Sequence, residues 1–239
     1  MLHAGRTGSS VLADMLSQHS EIKWDGEIFL DYPKYLDFFT SDPIQFIVYK
    51  MFQKSSNIYG FEVKALKNQH LEMFIKLNLD EFLVKAFEQG YSYFILLKRK
   101  NLLRRYISII QMLETKVYHT TTTQLKPKLI TIDPDNIWVN RKKTNLINYF
   151  KIIEQEYNDV SQLLRKYNVL SLSYEEDILS NPMIAYNKIC DFMCIEKQHP
   201  KIVLKRTNPF SIREVVANYS DIEKALKGTE YYWMLEDKD

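Results

Sequence analysis

The sequence predicts an α/β layer fold, a three-layer sandwich around a mostly parallel central sheet. Two observations predict it. Short strand-like segments alternate along the chain with helical patterns, as repeated strand–helix units require. The run Tyr93-Phe94-Ile95-Leu96-Leu97 is uninterrupted in its apolar character, as a strand covered on both faces must be. With 239 residues and 46% hydrophobic content, the chain can bury one sizeable core, so a single domain over 1–239 is expected.

Taken in order, strands are expected at 1–4, 21–24, 58–63, 93–98 and 169–173. Between the first two, Val11, Leu12, Met15 and Leu16 form a helical stripe, and Leu79, Phe82, Leu83, Ala86 and Phe87 form another before the fourth strand. Asn181-Pro182 after Ser180 is a helix-start signal, and Tyr186, Ile189, Cys190 and Met193 continue that helix on one face. The stretch 116–143 breaks the pattern. With four threonines from Thr120 to Thr123, prolines 127 and 134, and the basic run Arg141-Lys142-Lys143, it is expected to be an insertion or lid, most of whose residues face solvent.

Composition narrows the function classes. Thirty-two basic against 30 acidic side chains leave a net charge of +2, so bulk charge gives no reason to expect nucleic-acid binding, and affinity for anions must come from local placement. Cys190 and Cys194, four apart in a helical segment, read as buried thiols sharing a face; no second Cys or His pair stands at ligand spacing, so no metal is expected. No run approaches the ~18 apolar residues that span a bilayer and the first residues are not a signal peptide, so a cytoplasmic location is expected. The glycine loop described next begins at residue 5, an early start that is compatible with native residues, an anchor included, preceding Met1.

Gly5-Arg6-Thr7-Gly8-Ser9-Ser10 lies between the first strand and the first helix, where a loop can present backbone N–H groups and a helix N-terminus to an anion. Ser9 and Ser10 add hydroxyls, and Arg6 adds a planar guanidinium suited to phosphate or sulfate oxygens. A glycine turn that merely caps a helix would look similar. The loop is not a Walker A motif, since it has no Gly-Lys-Ser/Thr after four spacers, which weakens a kinase or NTPase reading. After the fourth strand comes Lys98-Arg99-Lys100-Asn101-Leu102-Leu103-Arg104-Arg105-Tyr106-Ile107-Ser108. Cations clustered at a helix N-terminus oppose the helix dipole unless an anion is supplied, so Arg99 and Ser108 read as phosphate ligands.

These residues carry a family resemblance. Arg6 to Ser10 resembles the 5′-phosphosulfate loop of sulfotransferases, and Arg99 with Ser108 resembles their 3′-phosphate motif. Leu172-Ser173-Tyr174-Glu175-Glu176-Asp177-Ile178 followed by Asn181-Pro182 is similar to the family's strand end and helix start. Lys205-Arg206-Thr207, Asn218-Tyr219 and Leu226-Lys227-Gly228-Thr229 are similar to segments of bacterial carbohydrate sulfotransferases of the trehalose, nodulation-factor and lipopolysaccharide type. The resemblance implies a P-loop-like nucleotide-binding core. It implies an enzyme that uses 3′-phosphoadenosine-5′-phosphosulfate (PAPS), releases 3′-phosphoadenosine-5′-phosphate (PAP) and sulfates a hydroxyl of a carbohydrate or glycolipid without a metal. By the same resemblance Arg6, Thr7, Gly8, Ser9 and Ser10 bind the 5′-phosphosulfate, Arg99 and Ser108 the 3′-phosphate, and Arg206 closes over that phosphate.

Glu27 occupies the place of the family's glutamate base. It would serve best if apolar neighbours such as Trp24 and Phe29 raised its pKa toward neutrality. Asp25 and His70 are rival bases. Lys64, at the third strand's carboxyl end, either stabilises sulfuryl oxygens or pairs structurally with a nearby carboxylate. His3, His19, His119 and His199 show no spacing that implies a metal or a triad. Tyr118 and Trp138 are candidate sugar-stacking faces, though core packing is the commoner role of such rings. Two other classes compete: a P-loop-like nucleotide or nucleoside kinase, and a catalytically silent module that binds phosphonucleotide or sulfated glycan. Acceptor identity should depend on 116–143 and 31–54, neither of which carries a readable motif. Phe38-Phe39 and Tyr231-Tyr232-Trp233 are either packing or a dimer contact.

Overall fold

The structure, a computed structural model, describes residues 1–35, 43–53, 57–122 and 126–236. Phe38-Phe39, Thr123 and part of the 31–54 segment lie outside the described residues. The strands are β1 (Leu2–His3), β2 (Ile22–Glu27), β3 (Ile58–Lys64), β4 (Tyr93–Lys98), β5 (Ile137–Val139), β6 (Lys142–Thr144) and β7 (Asn168–Ser173). The helices are α1 (Ser9–Ser17), α2 (Pro43–Phe52), α3 (Leu79–Glu88), α4 (Leu102–Thr115), α5 (Leu146–Leu164), α6 (Tyr174–Asp177), α7 (Met183–Met193), α8 (Ile212–Val215) and α9 (Tyr219–Leu226). They pack as two compact units, Met1–Lys98 with Glu156–Ile202, and Arg99–Gln155 with Val203–Asp239.

The first unit holds a five-stranded sheet in the order β2-β3-β1-β4-β7, with every neighbouring pair parallel. All five strands expected from the sequence are in it. Parallel strands end at one edge, so the carboxyl ends of β1, β2, β3 and β4 lie side by side, and order reverses about β1, the usual place for a ligand crevice. In β4, Ile95 and Leu97 join a buried cluster with Leu12, Met15 and Leu16 of α1 and Ala185, Tyr186 and Ile189 of α7. Phe94 and Leu96 point the other way and are also buried, which is why that strand reads as unbroken apolar sequence.

β2 carries an irregularity that matters for chemistry. Asp25 pairs with Phe61 but Glu27 pairs with Glu62, so Gly26 is an extra residue in the ladder. Such a bulge re-aims the side chains that follow it. Beside it, the Trp24 ring lies over Gly60, where a Cβ would come within 2.4 Å of it.

The second unit was less legible. The 116–143 stretch falls within it, and its described residues from Lys126 to Leu129 are exposed, as expected of an insertion. Ile130 and Ile132 are buried, however, and are laced to the C-terminal segment: Ile130 N–H donates to Val215 O at 2.8 Å, and Asn218 donates its amide to Ile132 O at 2.8 Å. A hairpin of β5 and β6 follows, turned through Asn140 and Arg141 at φ 50° and 64°, both left-handed as this tight turn type requires. α5, whose residues from Glu156 onward belong to the first unit, carries Leu146, Tyr149, Phe150, Ile153, Tyr157, Val160 and Leu164 at three- and four-residue spacing, all buried.

The expectation of two buried thiols needs correction. α7 ends at Met193, and Cys194 is its left-handed cap at φ 55°, exposed, while Cys190 is buried; both are free. Leaving the helix after Met193 turns the second thiol off the shared face. Among the described residues no helix is long and apolar enough to cross a membrane.

Candidate active site

The loop from Gly5 to Ser10 links β1 to α1 at the carboxyl edge of the sheet. Gly5, Arg6 and Gly8 adopt φ of 77°, 58° and 86°, so three left-handed residues fold the loop back on itself. α1 starts with Gly8 as its N-cap, without a side-chain cap bond and without an acidic residue in its first turn. Its first N–H groups therefore have neither a side-chain cap from Gly8 nor an acidic residue of the helix's own first turn beside them, a setting that can take an anion. Thr7 is fully buried, yet its hydroxyl makes no hydrogen bond among the described residues. A buried hydroxyl without a partner is costly unless something completes it, and a phosphate or sulfate oxygen at the loop would do so. Arg6 is half-buried, and burial, opposed by the nearby Tyr174 hydroxyl, lowers its pKa without threatening a charge that arginine keeps in proteins. Gly8 packs against Tyr174 and Ile178, whose side chains leave no room for a Cβ.

The two neighbouring strand ends deliver charged groups to the same place. Lys64 at the end of β3 donates from Nζ to Glu27 Oε2 at 2.7 Å, and its stem lies against Gly5, where a Cβ would come 3.1 Å from Lys64 Cε. His70 Nε2 lies 3.3 Å from the same Glu27 oxygen. His70 Nδ1 faces the N–H of Lys64 at 3.4 Å, so Nε2 carries the proton and donates it to the carboxylate. Gln69 holds His70 in place: its amide donates to Ala4 O at 3.1 Å and its carbonyl accepts from Leu66 N–H at 3.2 Å. A π-helical turn over Leu71–Ile75 follows at once, an irregularity frequent at functional sites.

Glu27 Oε2 thus receives two donors, while Oε1 accepts none among the described residues. The carboxyl's acidity runs against the sequence expectation. Burial, the largest influence, raises its pKa, but the hydrogen bond from His70, the charge and hydrogen bond of Lys64 and the charge of His3 together hold it down to about 2. The sequence expectation weighed Trp24 and Phe29 and did not count the two donors on Oε2, the Lys64 ammonium and the His70 ring N–H. His70 is itself lowered, by burial first and by Lys64's charge, against the opposing hydrogen bond to Glu27, and is neutral at neutral pH.

Lys64 therefore has the carboxylate partner that the sequence left as one of two options. Asp25 is separated from this group: its Oδ2 accepts from the Tyr59 hydroxyl at 2.6 Å and stands 3.9 Å from Lys50. Sequence reasoning missed one pair altogether. His3 and Glu62, both buried, meet at 3.2 Å between Nε2 and Oε2 beneath the loop. The signal was a polar residue at a position of β3 flanked by buried Phe61 and Val63. His19 is buried and structural, with Nε2 2.8 Å from Glu196 O; His119 and His199 are exposed.

In the second unit, the basic start of α4 is resolved differently from the dipole argument. The Asn101 side chain caps the helix by accepting from Arg104 N–H at 2.9 Å. Arg104 donates to Phe210 O and Arg105 to the Tyr149 hydroxyl at 2.8 Å, and both guanidiniums are buried. These two cations are met by the chain's own oxygens, so the helix start does not by itself require an external anion. Lys98, at the end of β4 in the first unit, donates to Ser161 at 2.6 Å. Arg99 is half-buried, Ser108 buried at one turn's remove from Arg104 on α4, and Arg206 half-buried in the irregular segment before α8. Among the described residues no group of three or more His, Cys, Asp or Glu is placed to hold a metal ion. Trp138 is largely exposed on β5 with Lys143 Nζ 5.6 Å from its ring, and Tyr118 is exposed.

No protein-family model matches the chain, and no curated protein matches it. Among solved structures it is similar to a sulfotransferase from Alicyclobacillus acidocaldarius, with a TM-score of 0.51 and 12% identity over 87% of this chain and 86% of that one. At that identity the likeness concerns the fold: a parallel sheet flanked by helices, arranged as in that sulfotransferase.

Proposed function

We propose that the chain is a sulfotransferase that uses PAPS and a hydroxyl acceptor of the carbohydrate or glycolipid class. One observation carries the reading: Glu27, gripped through one oxygen by Lys64 and His70, stands beside the uncapped, positive-φ loop at the carboxyl edge of the sheet. A base, a cation and an anion cradle are the parts that transfer of a charged group to a hydroxyl requires. The fold shared with a sulfotransferase is consistent with it.

PAPS supplies an activated sulfuryl group, and the remaining work falls to the chain's own side chains. Arg6, Thr7, Gly8, Ser9 and Ser10 hold the 5′-phosphosulfate, the buried Thr7 hydroxyl gaining the partner it lacks. Arg99, Ser108 and Arg206 hold the 3′-phosphate. Glu27 Oε1 takes the acceptor's proton. In the resting arrangement Lys64 suppresses the basicity of Glu27, but Lys64 also lies along Gly5, where an anion in the loop competes for its ammonium. Sharing that charge raises the proton affinity of Glu27 when the loop is filled. His70 keeps Oε2 oriented throughout. The location we propose is cytoplasmic.

Calorimetric titration with PAP, adenosine-5′-phosphate and ATP tests the reading. Binding that requires the 3′-phosphate and weakens roughly ten- to a hundredfold in Arg99→Ala is expected, the loss of a charge-assisted hydrogen bond being worth about 1.5–3 kcal/mol. Binding of magnesium–ATP with indifference to PAP would overturn it in favour of a kinase.

A further inference from the structure

The loop's conformation is not one the chain would relax into unaided. Arg6, which carries a Cβ, sits at φ 58° between glycines at φ 77° and, two residues on, 86°. A non-glycine residue in that region costs about 1 kcal/mol or more and persists where surrounding structure fixes it. Beneath the loop lies a polar pair with no part in the chemistry proposed above. Glu62 is 3% exposed on β3, and His3 is 1% exposed on β1. His3 Nδ1 accepts the N–H of Gly5 at 3.0 Å, which puts the ring proton on Nε2, 3.2 Å from Glu62 Oε2. The Ser9 side chain also hydrogen-bonds to the Glu62 carboxylate. Both ends of the loop, Gly5 where it leaves β1 and Ser9 where α1 begins, are therefore tied to one buried carboxylate.

We infer that Glu62, acting directly on Ser9 and through His3 on Gly5, is a positioning residue that holds the loop in its anion-binding shape. The inference rests on the reading of the loop as the 5′-phosphosulfate site. A buried negative charge under an anion site works against the anion. Its presence there is explained by geometry rather than by charge, and that makes the two roles separable. In Glu62→Gln, the amide oxygen still faces His3 Nε2 and the amide nitrogen can donate to the Ser9 hydroxyl, so both contacts survive without the charge. In Glu62→Leu both are lost at similar volume. In His3→Phe the tie to Gly5 alone is lost.

Two measurements test this. Hydrogen exchange of the folded protein reads the tether without any ligand: Glu62→Leu should speed exchange in the loop and first turn of α1 at least tenfold and leave β4 unchanged, while Glu62→Gln exchanges as wild type. Calorimetry reads the consequence. The affinity ratio of PAP to adenosine-3′-phosphate measures what the loop adds. It should fall at least tenfold in Glu62→Leu and severalfold in His3→Phe, with adenosine-3′-phosphate binding unaltered, and should stay or rise in Glu62→Gln. Should Glu62→Leu fail to fold, His3→Phe carries both measurements. Loop exchange that stays at the wild-type rate in either folded variant overturns the inference. Altered exchange in a protein whose wild type ignores PAP would instead overturn the sulfotransferase reading and leave the tether standing.

Discussion

At the residue scale, the candidate base is governed by two donors on a single oxygen, Lys64 Nζ at 2.7 Å and His70 Nε2 at 3.3 Å from Glu27 Oε2. Glu27 and Lys64 were singled out at adjacent strand ends, but a 37-residue separation hides a 2.7 Å ion pair from any local pattern. The expected rise in the Glu27 pKa followed from Trp24 and Phe29; the fall to about 2 follows from His70 and Lys64, with the charge of His3, outweighing burial. A direct consequence concerns pH and rate. On the proposed function, a carboxylate held this low stays ionised in the free protein throughout the working range, so the acid limb of kcat/KM should not lie near an ordinary base pKa. Lys64→Met removes the ammonium and lets the Glu27 carboxyl rise, so the acid limb should move to higher pH while turnover falls, we expect about a hundredfold. Glu27→Gln should abolish that limb, reduce turnover by about the 10²–10⁴-fold that a general base contributes, and retain PAP binding. pH–rate profiles of the three proteins decide it; an acid limb that Lys64→Met leaves in place would remove Lys64 from control of the base.

At the scale of elements, the parallel sheet was legible because its internal strand β4 is short, apolar and continuous and because strand-like segments alternate with helical stripes that repeat every three to four residues. The hairpin was not, since strands of three residues offer too little alternation to separate them from loop, although Asn140 at the turn was a usable sign. α5 was legible in principle: Leu146, Tyr149, Phe150, Ile153, Tyr157, Val160 and Leu164 form one stripe over a 19-residue helix. No sequence pattern announced the bulge at Gly26, because its register is set by β3. Gly60 shows how tightly that strand pair is fitted. A Cβ there would lie 2.4 and 2.5 Å from two atoms of the Trp24 ring, which is part of a packed indole and cannot yield as a flexible chain end would. Gly60→Ala should therefore destabilise the protein by about 1–3 kcal/mol, against the slight gain that alanine normally brings in place of glycine. Denaturant midpoints measure this, and Gly60→Ala paired with Trp24→Leu should recover part of the loss; an unchanged midpoint in the single variant would show that the ring moves freely.

At the scale of the whole molecule, the chain leaves the first unit after Lys98, builds most of the second, returns at Glu156 and leaves again after Ile202. Patterns that repeat along the chain reveal the sheet of the first unit, whereas the second is closed by long-range bonds such as those joining Ile130 to Val215 and Ala217, which only folding brings together. What the whole protein feels of the candidate site is its charge. Glu27 and Glu62 are both held below the ordinary carboxylate range, in each case by hydrogen-bond and charge partners that together outweigh burial, and His70 is lowered by burial before all else. For each of the three the folded state binds its proton less readily than the unfolded chain does. Their contributions are therefore fully present at pH values above the unfolded pKa and are lost as pH falls: from about 6.5 downward for His70, and from 4.5 toward 2 for Glu27. A fall from 4.5 to about 2 corresponds to roughly 3 kcal/mol. The share of the unfolding free energy that these three groups supply should be flat above pH 7, decline gently below 6.5 and steeply below 4.5. Glu27→Gln, which has no proton to gain, should be less stable than the native protein at pH 7, and the gap should narrow as the pH drops through 4.5. Urea titrations at half-unit pH intervals test the sign directly, since a gap that widened on acidification would mean that Glu27 is held above, not below, its unfolded pKa.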